Sequence, residues 1–210
     1  MTLSVSTVLA LALAHAPQVA PETVIAFAQA ESALKPFSLY DNTAKKSYSP
    51  NSSAAAIEIA RSLLALGHSI DAGLMQINSA NFVRTGLTVE TAFDPAQSVR
   101  AGAQVLVDAY QWCQERQPDA NPLRCMASVY NTGRPTAGER NGYVGKIYAA
   151  ADRVVPAIRQ AVPDQPEPSA STEPNKPVTP NACGPPPPTW DTWAVSDYQT
   201  CLKHTPPNKE

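Results

Sequence analysis

The chain has 210 residues, 43% of them apolar, 16% charged and 7% aromatic, and its formal net charge is −2. A chain of this length buries a core of its own and does not need the disulfide density of a miniprotein. Near-neutral charge provides no basic face for nucleic acid, and no apolar run reaches the ~20 residues of a membrane span. Neither fact disfavours a polysaccharide, whose hydroxyls and amides need no net charge.

Eight of the 21 prolines lie in residues 1–155 and 13 in residues 156–210. No helix or central strand tolerates the second density. The composition therefore averages a body, with 12 basic and 12 acidic side chains up to residue 155, and a proline-rich tail. The four cysteines follow the same division: Cys113 and Cys125 in the body, Cys183 and Cys201 in the tail. Neither pair has the CxxC spacing of a zinc site. Two local disulfides, Cys113–Cys125 and Cys183–Cys201, fit better than four free thiols, and they point to an oxidising compartment such as the periplasm.

In chain order the body reads as helix after helix. Residues 3–16 form the first candidate. Residues 8–16, VLALALAHA, also resemble the apolar core and cleavage site of a signal peptide, but no Lys or Arg precedes them, and a buried first helix is the preferred reading. The export route stays open. Pro21 suits the first position of a helix. Val24, Ile25, Phe27, Ala28 and Glu31 then share one face as far as Leu34, and Pro36 ends the run. Residues 36–52 read as a polar loop. Ser52 or Ser53 caps a helix through Leu66, with Gly67 as its stop. After the loop 68–78, Asn78 or Ser79 caps a short helix ending at Gly86. Asp94–Pro95 and Asn121–Pro122 open two more, the second running to Tyr130, and 141–155 form the last, with room to run past Pro156. No strand of useful length is predicted, although residues 72–77 can pair briefly as part of a small β-hairpin. The predicted fold is mainly α, with a body of 1–161, a linker of 162–189 and a tail element of 190–210. In that element Trp190, Trp193, Tyr198, Cys201 and Leu202 recur at helical spacing, and the two tryptophans either dock on the body or face a partner.

Glu31 is the best single candidate for chemistry. Burial and the negative end of its helix both raise a carboxyl pKa, which suits a general acid. Spacing alone fits a solvated glutamate as well. Gly73-Leu74-Met75-Gln76-Ile77-Asn78 presents two amides on a short loop, and Tyr130-Asn131 presents a phenol and an amide beside Gly133; both are good partners for sugar hydroxyls and N-acetyl groups. His15, His68 and His204 share no metal-ligand spacing, and there is no GxSxG, P-loop or GxGxxG. No metal or cofactor is expected.

AQAES around Glu31, GLMQIN at 73–78, VYNTG at 129–133 and NGYVGKI at 141–147 occur in the order and spacing of the lytic transglycosylase family. With Val19-Ala20-Pro21, His68-Ser69-Ile70-Asp71, Asn81-Phe82 and Gly86-Leu87-Thr88, the chain more closely resembles the VirB1-like branch, associated with type IV secretion and conjugation systems. The resemblance covers roughly residues 3–155 and leaves the tail uncovered. It implies a lysozyme-like fold acting on peptidoglycan glycan strands in the periplasm; secretion-system components are separately expected as partners, reached through the tail. It also implies Glu31 as the sole catalytic carboxyl, breaking the β-1,4 bond between N-acetylmuramic acid and N-acetylglucosamine with a 1,6-anhydro product. Leu74, Met75, Gln76, Asn78, Tyr130 and Asn131 would line the sugar groove, and Tyr143 would pack near or hydrogen-bond Glu31. Many relatives carry a serine about nine residues after the acid. Here Tyr40 stands there, followed by Asp41 and Asn42. Ser69, Asp41 and Asn42 are the candidates to support the acid, and Asp41 is alternatively a second carboxyl, which would favour a hydrolytic muramidase. A different class, a peptidoglycan-binding scaffold acting through Trp190 and Trp193, is the remaining alternative.

Overall fold

The computed structural model describes residues 1–161, and the linker 162–189 and the tail element with its Cys183–Cys201 pair lie outside the described residues. In chain order the elements are α1 (Val5–His15), α2 (Pro21–Ser32), β1 (Leu39–Asp41), β2 (Lys46–Tyr48), α3 (Ser53–Ala65), β3 (Ile70–Ala72), β4 (Ile77–Asn78), a 3₁₀ turn (Ser79–Asn81), α4 (Phe82–Thr85), α5 (Pro95–Arg116), α6 (Pro122–Thr132), α7 (Ala137–Arg140) and α8 (Tyr143–Ala161). The protein is mainly helical. Among the described residues no helix is long and apolar enough to cross a membrane.

The helix starts follow local chemistry. The side chains of Ser52, Asp94 and Asn121 accept hydrogen bonds from the first free N–H groups of α3, α5 and α6, and Pro95 and Pro122 occupy first positions where no N–H is required. Asn78 caps the 3₁₀ turn through the Ala80 N–H. Residues 5–15 form a helix of the body: Val8, Leu9 and Ala12 are buried, and α1 packs on α2, α5 and α8. Helix α2 runs through the centre, with Val24, Ile25, Phe27 and Ala28 at most 1% exposed, and lies against α8. Helix α8 continues past Pro156.

The sheet is the main departure from the sequence-based expectation. Residues 36–52, read as a loop, contain the β1–β2 hairpin, and the short pairing anticipated at 72–77 is one edge of a four-stranded antiparallel sheet ordered β2-β1-β3-β4. Strands of two or three residues carry no readable period, so only their pairing defines them. Directly opposed residues share a face. Ser47, Tyr40, Asp71 and Asn78 therefore form one row across all four strands. The flanking rows point the other way, where Leu39, Ala72 and Ile77 on one side and Asp41 and Ile70 on the other are buried.

Candidate functional site

Glu31 is the penultimate residue of α2. Immediately after the helix, Ala33 and Leu34 both adopt left-handed backbone angles, with φ of 53° and 59°. Such conformations are uncommon for residues with a Cβ, and they turn the chain sharply away beneath the acid. The half-buried Glu31 carboxyl faces a groove between the helical part and the sheet. Its Oε1 accepts a hydrogen bond from the Tyr143 phenol at the start of α8. Burial pushes the Glu31 pKa up to about 7, the Asp71 charge adds to the rise, and the Tyr143 hydrogen bond and the Lys146 ammonium oppose it. Burial, reinforced by the Glu31 charge, also raises the Tyr143 phenol, which stays a donor.

The turn 73–76 is fastened from three helices. Ser32 Oγ donates to the Leu74 carbonyl at 2.7 Å, Tyr130 Oη donates to the Met75 carbonyl at 2.7 Å, and Ser98 Oγ accepts from the Met75 N–H at 3.0 Å. Tyr130 is itself held edge-on by Phe27, with ring centroids 4.9 Å apart. Gln76 has a left-handed backbone at φ 47°, and its amide nitrogen donates to the carbonyls of Gly73 and Ser38. Both amide protons are thereby used, and the side-chain oxygen is the atom left for a ligand. Gln76, Asn78, Tyr130 and Asn131 all line the groove.

Three placements correct the sequence-based expectations. Leu74 and Met75 do not line the groove: both side chains are fully buried, because the turn carries them into the core. Asp41 is not a second groove carboxyl. It is fully buried on the core side of β1, where it accepts the N–H groups of Thr43 and Ala44 and pairs with His68 Nδ1 at 2.8 Å. Burial alone would raise its pKa, but the Ala44 N–H, His68 and the Thr43 N–H hold it below the ordinary carboxylate value. The Ser69 hydroxyl accepts from the Asn78 amide at 3.1 Å rather than bonding Glu31. Asn42 does reach the groove, and its buried Nδ2 has no hydrogen-bond partner among the described residues.

The residue that sequence reading missed is Asp71. It lines the groove with Glu31, and its Oδ1 accepts from Asn78 Nδ2 at 2.7 Å. The signal was the alternation Ile70-Asp71-Ala72 ahead of the Gly73 turn, buried, half-buried, buried in the structure. Trp112 and the Arg84–Asp108 ion pair, also unanticipated, form the far wall on α4 and α5. Among the described residues no group of three His, Cys, Asp or Glu is placed to hold a metal ion. The site can thus present a protonated carboxylic acid to a ligand held by amide and phenol groups, with one carboxylate nearby.

The transglycosylase SLT domain family matches residues 9–151. The chain is 36% identical over 180 residues to "Protein virB1" of Agrobacterium fabrum, covering 86% of the chain and 67% of the relative. It is 34% identical over 178 residues to "Protein virB1" of Rhizobium radiobacter, covering 85% and 68%. To "Type IV secretion system protein virB1" of Brucella suis it is 34% identical over 165 residues, covering 72% and 69%. No solved structure matches the chain.

Proposed function

The chain belongs to the transglycosylase SLT domain family, and from that premise we propose that it is a peptidoglycan lytic transglycosylase that opens the cell wall locally for a type IV secretion or conjugation apparatus. The observation that carries the reading is Glu31, a carboxyl with a pKa of about 7 in an amide-lined groove. In its protonated form, about half of the population at pH 7, it delivers its proton to the glycosidic oxygen between N-acetylmuramic acid and N-acetylglucosamine. As carboxylate, it then takes the proton of the muramic acid C6 hydroxyl, whose oxygen attacks C1. One C–O bond breaks, one forms, and a 1,6-anhydro end results without water. Asn42, Gln76, Asn78, Tyr130 and Asn131 hold the sugars and their N-acetyl groups. Tyr143 positions the acid. The name of the Brucella suis relative supports the secretion context, and the proposed site of action is the periplasm.

The test is mass spectrometry of muropeptides released from purified sacculi by the parent protein and by Glu31→Gln. Anhydro products from the parent and none from the folded variant are expected. Undiminished release by Glu31→Gln sinks the assignment of the acid. Asp71 favours one second reading, a hydrolytic muramidase on the same scaffold, because a nearby carboxylate can stabilise the oxocarbenium-like state or its adduct while water attacks. Reducing-end products carrying an added water, abolished in Asp71→Asn, would establish that reading instead.

A further inference from the structure

The groove does not stop at the acid. On one side of Glu31 it widens into a cavity of about 520 Å³ towards α4 and α5, walled by Asn78, Arg84, Val105, Asp108 and Trp112. On the other side it continues as a cavity of about 670 Å³ between the end of α2, the β1–β2 hairpin and α8, walled by Lys35, Ser38, Tyr40, Tyr48 and Lys146. Glu31, Asn42, Asp71, Gln76 and Asn131 line both. The acid therefore stands where two arms of comparable size join, not at the blind end of one.

The floor has the same continuity. The sheet row Ser47–Tyr40–Asp71–Asn78 runs from one arm into the other, with Ser47 and Tyr40 in the second, Asn78 in the first and Asp71 at the junction. Each arm also offers what carbohydrate binding uses: Trp112 with polar Arg84 and Asp108 in one, Tyr40 and Tyr48 with the Lys35 and Lys146 ammonium groups in the other.

An enzyme that trims strands from an end needs one arm much shorter than the other, and here the two arms are of comparable size. We infer that the protein binds a glycan strand through both arms at once and cuts bonds in the interior of the strand. The inference rests on the glycan-cleaving reading and specifies its substrate as the uninterrupted strand rather than the strand terminus. Contacts far from the scissile bond on either side then contribute to transition-state binding, and both arms are required for rate.

The experiment uses the full chain and long, peptide-free glycan strands of narrow size range. Product lengths are followed by chromatography from the first few per cent of bonds cut. Mean strand length is expected to fall steeply at once, with oligosaccharides of many lengths. Early release of disaccharide while the remaining strands keep their length overturns the inference and leaves the proposed chemistry standing. No cleavage of any kind overturns both. A bulky side chain in either arm, Ser49→Trp beside the hairpin or Val105→Trp on α5, is expected to slow cleavage of long strands about tenfold or more in a protein that melts as the parent does. If blocking one arm leaves the rate unchanged, that arm carries no sugar and the inference fails. The product-length measurement on the parent decides the matter even where a variant does not fold.

Discussion

The Tyr143 phenol donates to Oε1 of Glu31 across 112 residues of sequence. This contact fixes the orientation of the carboxyl and favours its charged form, while burial favours the neutral form, and burial prevails. The Glu31 pKa lies at about 7 rather than 4.5 because burial outweighs the phenol and the nearby Lys146 ammonium.

Cleavage of soluble glycan strands should follow a basic limb with a midpoint near pH 7, since the acid acts in its protonated form. Tyr143→Phe removes a donor to the carboxylate and so raises the Glu31 pKa further. The midpoint should move up by about one unit. A rate–pH series from 4 to 9 on both proteins checks it, and a downward shift contradicts the assigned role of the phenol.

Glu31 also destabilises the fold at neutral pH. Its folded pKa of about 7 lies above the reference value of 4.5, so between those values the folded state holds the extra proton and stability falls as pH rises. The loss is complete about one unit above the folded pKa. Glu31→Gln should therefore be more stable than the parent by about 1–3 kcal/mol at pH 8, with the difference shrinking to near zero at pH 4. Urea denaturation at the two pH values measures this.

Gly73 is confined in two ways. Its φ is +81°, and an added Cβ would lie 2.1 Å from the Ala92 carbonyl oxygen. Gly67 has a similar φ of +77° with nothing within 4 Å. Gly67→Ala should cost about 1–2 kcal/mol, the conformational term alone, whereas Gly73→Ala should cost at least about 4 kcal/mol or prevent folding. Thermal melts of the pair separate backbone strain from crowding. Equal losses would mean that the Ala92 carbonyl yields.

The Cys113–Cys125 disulfide joins α5 to α6 across a sequence separation of 12, with Cα atoms 6.0 Å apart. Its loop is short, and on the chain-entropy model its removal should lower stability by about 3 kcal/mol. The Cys113→Ser/Cys125→Ser double variant, melted beside the parent with and without reductant, tests this: reductant should lower the parent by more than the variant.

Much of the helical architecture was legible because helix starts are written within one turn. A Ser, Asp or Asn before a proline or an apolar period needs no distant partner, and the helices beginning at Ser53, Pro95 and Pro122 start where those signals stand. Glu31, the amides of 76 and 78 and the Tyr130–Asn131 pair could be named from contiguous motifs, and the structure brings them to one groove. The strands were not legible, since two or three residues have no period of their own. Without the sheet, nothing distinguished Asp41 from Asp71.

The sequence by itself determined the helical body, the acid-bearing helix and the family of motifs, all through interactions a few residues long. Tertiary structure decided which groups meet. Antiparallel register turned Asp71 to the groove and Asp41 to the core. The left-handed backbone at Gly73 and Gln76 accompanies the turn that carries Leu74 and Met75 inward. Packing of α8 on α2 brought Tyr143 to Glu31. The acid's pKa belongs to this second class, because burial and a partner 112 residues away are properties of the assembled molecule, and no local stretch of chain contains them.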